Sequence, residues 1–123
     1  MRMESLIFDD VSVLNSKLME IAQEQQKVTA NNMANAETPG YIRRELDFQG
    51  RLKQLMSEGN TEAIGDLKPE LVLDNSGTVR DDGNNVTISQ EMNDMMQNGI
   101  YFNLLAKAFA TRINILRTAI SGS

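Results

Sequence analysis

Hydrophobic residues keep a helical spacing at both ends of the chain and lose it in the middle. Near the N-terminus they recur in alternating steps of four and three residues, with Gln25 as the one polar member, at Ile7, Val11, Leu14, Leu18, Ile21 and Val28. This heptad spacing predicts one long helix with a single apolar seam. The same count continues to Asn32 and Asn35. The seam there either buries amides, which then need partners, or has already reached solvent.

The second helical pattern is longer and fills the C-terminal part of the chain. Its four-and-three series is interrupted by Gly99 and includes Ile88, Met92, Met95, Phe102, Ala106, Phe109, Ile113, Leu116 and Ile120. At about 1.5 Å per residue it predicts a helix of ~50 Å. Thr87 followed by Gln90 forms a capping-box pattern that predicts the helix start, and Ser89 is an alternative N-cap.

Between these patterns the chain is irregular. Pro39 and Gly40 end the first helix, because proline lacks a backbone N–H and biases Thr38 to an extended conformation, while glycine accepts positive φ. Residues 41–48 alternate roughly in polarity and predict a short strand or extended segment. Residues 71–73 lead into a turn, and residues 78–80 either return as their partner strand or belong to an ordered loop.

A short helix is predicted at residues 51–58, with Leu52, Leu55 and Met56 on one face and Gly59 as its end. The acidic sequence at residues 81–85 predicts a turn. It lacks the alternation and the closing glutamate of a calcium loop. No metal and no cofactor are therefore predicted.

The predicted fold is mainly α, with residues 1–38 and 87–123 as long helices that pair as an antiparallel coiled coil. Residues 39–86 form an irregular middle segment with short β or extended elements. One such helix pair leaves further apolar side chains uncovered, namely Ile100, Leu104 and Leu105 on the second helix and Met19, Ala22 and Met33 on the first. This excess favours packing against other subunits over a monomeric bundle with a wide core face.

Composition narrows the possible functions. The chain has 123 residues, a net charge of −5, and neither cysteine nor histidine, which excludes thiol and imidazole chemistry. Its basic residues are scattered apart from Arg43 and Arg44, so no nucleic-acid surface is predicted. A carboxylate hydrolase has only Asp81 and Asp82 and dispersed glutamates to support it. No apolar run approaches the roughly 18 residues of a membrane span.

The N-terminal residues also bear on targeting. Asp9 and Asp10 stand where a secretory signal needs its apolar core, and no A-x-A-like site follows. The sequence therefore predicts no cleaved signal peptide.

Residues 30–41 read ANNMANAETPGY and resemble the motif ANNIANxxTPGY of bacterial flagellar rod and hook proteins. Residues 82–86 (DGNNV) and 116–120 (LRTAI) are similar to the corresponding segments of the proximal rod. Met33 replaces the usual isoleucine, and Thr87 and Ser89 occupy flanking positions at which proteins of this family often have acidic residues. Both changes conserve packing or capping.

The resemblance implies a structural subunit without catalytic activity in the proximal rod of the basal body, which transmits torque across the periplasm. Its implied partners are copies of itself, other rod proteins, a membrane-ring or adaptor protein at the rod base, and the flagellar type III export apparatus. The seam residues of both helices would carry subunit packing. The junction motif would be Asn31, Asn32, Asn35, Thr38, Pro39, Gly40 and Tyr41.

Early export substrates of this apparatus resemble one another in a short element in which a phenylalanine is followed, four residues later, by a hydrophobic residue. Phe48 with Leu52 fits this element, and Phe109 with Ile113 fits it too. The alternative function is a small soluble helical adaptor that folds alone and binds one partner helix.

Overall fold

The computed structural model describes the backbone of residues 3–122 and the side chains of residues 10–122. In chain order the elements are α1 (Met3–Ala34), β1 (Arg44–Asp47), α2 (Gln49–Glu58), α3 (Thr61–Asp66), β2 (Glu70–Leu73) and α4 (Ile88–Ser121). The fold is mainly helical, as predicted, with long terminal helices and a two-stranded sheet between them. Of the helices described, none is both long enough and apolar enough to cross a membrane.

The two long helices lie against each other and run in opposite directions. The side chain of Asn98 on α4 donates a hydrogen bond to the carbonyl of Ala22 on α1 at 2.7 Å. Two turns further along α4, the carbonyl of Leu105 accepts a hydrogen bond from Asn15 at 3.3 Å. The residue number therefore falls on α1 as it rises on α4. Polar side chains, as well as apolar ones, thus lie along the contact between the helices.

A cluster of buried apolar residues joins one side of α1 to α2 and to the region of α3. Its buried members are Ile21, Leu52, Leu55, Ile64 and Leu67. Full burial of an aliphatic side chain of this size stabilises a fold by roughly 1.5–3 kcal/mol. The middle segment is therefore anchored to the first helix by its own small core.

The short helix α3 was not predicted, because its one buried apolar residue gives no periodic signal. The side chain of Asn60 caps its start by accepting a hydrogen bond from the N–H of Ala63 at 3.1 Å. The end of α3 is held by Lys17 of α1, which is only 6% exposed. The Lys17 ammonium donates to the carbonyl of Leu67 at 2.9 Å and to Glu20 at 3.0 Å. These partners compensate the burial of its charge.

The strands do not form the hairpin that was one of the two alternatives for residues 71–80, and residues 78–80 lie in a loop. β1 pairs antiparallel with β2, with Arg44 opposite Leu73 and Asp47 opposite Glu70. A strand at residues 78–80 as the partner of residues 71–73 is therefore wrong. The reason is that β2 pairs with β1, which lies near the start of the middle segment. This pairing brings residues 44–47 beside residues 70–73.

Two local predictions also need correction. Met56 is 50% exposed, because α2 packs against the core through Leu52 and Leu55 only. Thr87 is the N-cap of α4, but its side chain makes no capping hydrogen bond, so the capping box is wrong. Ser89 lies inside the helix and is not the cap.

Candidate assembly site

The first helix ends in a short series of turns that dock against the loop before α4. The N–H of Thr38 donates to the carbonyl of Asn35 at 3.0 Å, and the N–H of Tyr41 donates to the carbonyl of Thr38 at 3.2 Å. Gly40 has a φ of 76°, which residues with a side chain rarely adopt. The N–H of Gly40 donates to the carbonyl of Asp82 at 2.8 Å. The turn is thus fixed by contacts from the far end of the middle segment.

Asn32 is completely buried, and its side chain is fully hydrogen-bonded. Its amide nitrogen donates to the carbonyl of Arg44 at 2.8 Å, and its oxygen accepts from the N–H of Arg44 at 2.9 Å and from the hydroxyl of Tyr41 at 3.1 Å. Of the two interpretations of the asparagines on the seam, burial therefore describes Asn32. Asn35 is half-buried, and its amide donates to the carbonyl of Asn31 one turn earlier, at 2.8 Å.

The other junction residues lie near the surface. Tyr41 is half-buried, while the exposed members are Asn31, Thr38, Pro39 and Gly40. Within the motif, the side chain of Asn32 is thus buried, and the other residues form the turn.

A buried ion pair lies beside Asn32. Arg43 is 7% exposed and Glu91 is fully buried, and the Nε of Arg43 donates to Glu91 Oε1 at 2.7 Å. Arg43 also donates to Asp74, and Asp94 lies 3.7 Å from its remaining terminal nitrogen. The second oxygen of Glu91 accepts from the amide of Asn32 at 3.4 Å. Carboxylates from the end of β2 and the start of α4 therefore converge on one guanidinium.

Arg43 and Asp74 favour each other's charged forms. Burial alone would lower the pKa of Arg43, but its hydrogen bonds to Glu91 and Asp74 raise that pKa above its ordinary value. The pKa of Asp74 is lowered, chiefly by hydrogen bonds from the hydroxyl and the N–H of Ser76 and additionally by Arg43. The Asp74 carboxylate lies 2.5 Å from that hydroxyl and 3.0 Å from that N–H. Arg43 and Asp74 are therefore both ionised at neutral pH.

The loop before α4 closes the junction from the other side. Asn84 is fully buried, and its amide donates to the carbonyls of Asn35 and Thr38, both at 2.8 Å. Gly83 has a φ of 84°, and a Cβ at this position would lie 3.2 Å from the Cα of Gly40. The loop and the end of α1 therefore touch through their backbones.

The next residue, Asn85, links the loop to the sheet. Its oxygen accepts from the N–H of Arg43 at 2.6 Å, and its amide donates to the carbonyl of Asp74 at 2.7 Å. Arg80 reaches back to the carbonyl of Ala36 beyond the end of α1. Three separate parts of the chain thus meet at the junction through side chains that bond to backbone groups.

Several of these residues were missed by the hydrophobic pattern, and a different pattern would have found some of them. The side of α4 that contacts α1 follows its own four-and-three series, Glu91, Met95, Asn98, Phe102, Leu105 and Phe109. Two of its members are polar, so a search for apolar residues at helical spacing does not detect this side of the helix. Arg43 and Asp74 carry no periodic signal at all.

The predicted packing residues occupy different environments. On α1, Ile7 lies outside the described side chains; Val11, Leu14 and Leu18 are half-buried; Ile21 and Val28 are buried. On α4, the half-buried members are Met95, Phe102, Phe109, Ile113 and Leu116, and the exposed members are Ile88, Met92 and Ile120. In the predicted export element, Phe48 is half-buried and Leu52 is buried.

The outer side of α4 carries large apolar side chains in contact with solvent. The exposed fractions are 67% for Met96, 57% for Ile100, 61% for Leu104 and 64% for Ile115. We call these four residues the outer face of α4. Large apolar side chains exposed along one side of a helix are typical of sites of protein–protein contact.

In the described part of the chain, no group of acidic residues is arranged to hold a metal ion. Asp81 and Asp82 lie in an exposed turn, where the carboxylate of Asp82 accepts the N–H of Asn84 at 3.0 Å. The buried polar groups of the junction make hydrogen bonds and ion pairs with one another.

The sequence is similar to known proteins both at the junction and over most of the chain. A family model described as flagella basal body rod protein matches residues 19–41, which include the end of α1 and the turn after it. The chain is 31% identical over 112 residues to the flagellar basal body rod protein FlgB of Bacillus subtilis (strain 168), covering 82% of this chain and 85% of that protein. The chain belongs to the FlgB family.

Other members extend the similarity. FlgB of Aquifex aeolicus (strain VF5) is 30% identical over 113 residues, covering 89% of this chain and 91% of that protein. FlgB of Salmonella typhimurium is 40% identical over 47 residues, which cover 38% of this chain and 34% of that protein. As a member of the FlgB family, the chain is a structural subunit of the flagellar basal-body rod. The resemblance of residues 30–41 to rod proteins is thus confirmed.

Proposed function

We propose that this rod subunit lies in the proximal rod and assembles through its terminal helices. In this proposal α1 and α4 pair as an antiparallel coiled coil, and the outer face of α4 packs against neighbouring subunits. The helices then form the wall of a shaft that transmits torque across the periplasm without any catalytic step. The observation that carries the proposal is the outer face itself, because four large apolar side chains remain more than half exposed in the single chain.

The seam residues would divide between two tasks. Half-buried members such as Phe102 and Phe109 lie on the side of α4 that meets α1, whereas Ile88, Met92 and Ile120 are exposed and available to other chains. Transfer of apolar surface from water into such a contact contributes about 25 cal/mol per Å² before the costs of association. Assembly would therefore depend on the whole length of α4.

The junction would set the direction of the middle segment. Asn32 binds the chain beyond the turn to α1, and Arg43 binds it to Glu91 of α4, so the start of the middle segment is held against both long helices. We propose that this places the middle segment on the outside of the rod while both terminal helices remain in its wall. The three regions 1–38, 39–86 and 87–123 would then serve as first wall helix, outer segment and second wall helix.

The proposed partners are copies of this chain, other rod proteins, and a membrane-ring or adaptor protein at the base of the rod. Delivery would use the flagellar type III export apparatus, without a cleaved signal peptide. Phe48 with Leu52 is the proposed export element. Since Leu52 is buried in the folded chain, recognition would precede folding. Secretion of the Phe48→Ala variant, compared with Phe109→Ala, tests this choice, and equal secretion of both would reject it.

The variant Phe102→Asp tests the assembly mechanism. It places a charge in the contact between the long helices, which we expect to prevent incorporation into the rod while leaving export intact. Asn103→Asp adds the same charge at the next, exposed position and is the matched control. Secretion of the subunit and swimming motility are the measurements.

Loss of motility with Phe102→Asp but not with Asn103→Asp is the expected result. Normal motility of the Phe102→Asp strain would rule out the packing mechanism. A helical adaptor would instead show full, cooperative helicity by circular dichroism as a dilute monomer, whereas in the rod subunit the ends of α1 and α4 that lie away from the junction are expected to gain helicity on assembly.

A further inference from the structure

An open groove lies between α1, the sheet, α2 and the first half of α4. Its volume is about 1070 Å³, which is roughly the volume of two helical turns about 10–12 Å across. Apolar side chains line part of it, among them Leu18, Leu46, Phe48 and Tyr101. The groove therefore has the dimensions and the apolar surface to receive one face of a helix.

The charge of the groove is strongly one-sided. Among the residues that the structure describes, its lining includes the carboxylates of Glu45, Asp47, Asp74 and Asp94 and one cation, Arg43. Arg43 is already bound by Glu91 and Asp74. A helix that enters the groove should therefore carry apolar residues together with positive charge.

The C-terminal half of α4 has this composition. Residues 105–121 contain Lys107, Arg112 and Arg117 and no acidic residue. Leu104 and Ile115 of the outer face are 61% and 64% exposed, and Lys107 lies between them in sequence and is exposed as well. One side of this half-helix is thus both apolar and basic.

We propose that the groove of one subunit receives residues 104–115 of α4 from a second copy of this chain. The proposal rests on the rod function proposed above and names the partner for the outer face. The chain's own α4 cannot fill its groove, because α4 is one unbroken helix that lines the groove through Tyr101 and continues past it. The contact joins two different surfaces, so it is heterologous and extends from copy to copy, as growth of a shaft requires.

The absence of cysteine from the chain allows a direct test by disulfide cross-linking. Purified full-length Asp47→Cys and Lys107→Cys variants are mixed at high concentration and oxidised, and the heterodimer is quantified. Asp47 lies at the groove, and both positions are exposed, so neither substitution disturbs the core. The matched control replaces Asp47→Cys with Glu37→Cys, which lies in the exposed turn after α1 and does not line the groove.

We expect several-fold more heterodimer from the groove pair than from the control pair. The yield should fall as salt rises from roughly 0.1 to 1 M, because screening shortens the range of charge attraction. Equal yields from the two pairs would overturn the proposal, including the case in which the groove is filled by a different rod protein.

Charge exchange provides a second measurement that does not depend on oxidation. Asp47→Lys and Lys107→Glu should each reduce motility, and the double variant should restore it. Failure of the double variant to restore motility counts against the proposed contact. If the cross-linking fails while Phe102→Asp still abolishes assembly, the rod function stands and only the groove's occupant is wrong.

Discussion

The junction and the outer face of α4 use opposite kinds of residue. At the junction Asn32, Glu91 and Asn84 are polar and completely buried, and each of them is hydrogen-bonded within the same chain. On the outer face, large apolar residues remain exposed to solvent. The contrast indicates that the polar junction serves folding of the single chain, while the apolar outer face gains free energy only when another chain covers it.

The two regions should therefore respond differently to concentration. Contacts within the junction are intramolecular and contribute the same free energy at any dilution. A contact between chains adds stability only as the concentration of the partner approaches the dissociation constant. Polar groups also specify geometry more strictly than apolar ones, since an unpaired buried donor or acceptor costs about 1–3 kcal/mol. The junction is thus suited to fix the angle at which the middle segment leaves α1.

The largest expected effect comes from Glu91→Ala. Removal of this carboxylate leaves the buried guanidinium of Arg43 without its fully buried partner, and loss of one member of a buried ion pair costs about 3–5 kcal/mol. Urea unfolding of the purified chain measures the change. The matched variant on the other region is Ile115→Ala, for which we expect a change within about 0.5 kcal/mol because the side chain is 64% exposed.

The order of the two variants should reverse when assembly is measured. Per folded subunit, Ile115→Ala is expected to reduce incorporation into the rod more than Glu91→Ala does. A Glu91→Ala variant that unfolds at the same urea concentration as the unchanged chain would break the contrast between the regions.

A somewhat smaller effect is expected from Asn32→Ala. The substitution leaves the N–H and carbonyl of Arg44 and the hydroxyl of Tyr41 without their partner, which predicts a loss of roughly 2–3 kcal/mol. Asn31→Ala is the control on the adjacent residue, which is exposed, and its effect should stay within about 0.5 kcal/mol. Similar unfolding midpoints for the two variants would show that burial of Asn32 contributes nothing.

Periodic features of the fold were predictable from the sequence. The spacing from Val11 to Val28 and from Met95 to Leu116 indicates the two long helices, because an α-helix repeats every 3.6 residues and keeps one face in contact with its neighbour. The turn at Pro39 and Gly40 was predictable from backbone chemistry. Local rules of this kind need no knowledge of the rest of the fold.

Contacts between distant residues were not predictable in the same way. Arg43 meets Glu91 and Asp74 only after β1 has paired with β2 and α4 has packed beside α1. A single arginine between a turn and a strand carries no sign of its partners 48 and 31 residues away. The hairpin, one of two alternatives for residues 71–80, was wrong for the same reason, since a turn at residues 74–77 suggests a local partner for β2 and gives no information about β1.

The smallest of these effects is the response of the junction to acid. The pKa of Asp74 lies below its ordinary value of 3.8, because Ser76 and Arg43 stabilise the carboxylate in the folded chain. The unfolded chain therefore binds a proton at Asp74 more readily, and the stabilisation is present above pH 3.8 and lost as the pH falls through the lowered pKa.

Urea unfolding at neutral pH and in steps below pH 3.8 should show stability falling less steeply in Asp74→Asn than in the unchanged chain. Asp81→Asn removes an exposed carboxylate from a nearby turn and controls for net charge. Equal slopes for Asp74→Asn and the unchanged chain would contradict a role for the Asp74 carboxylate in acid sensitivity, and would leave the junction's stability to Glu91 and the asparagines.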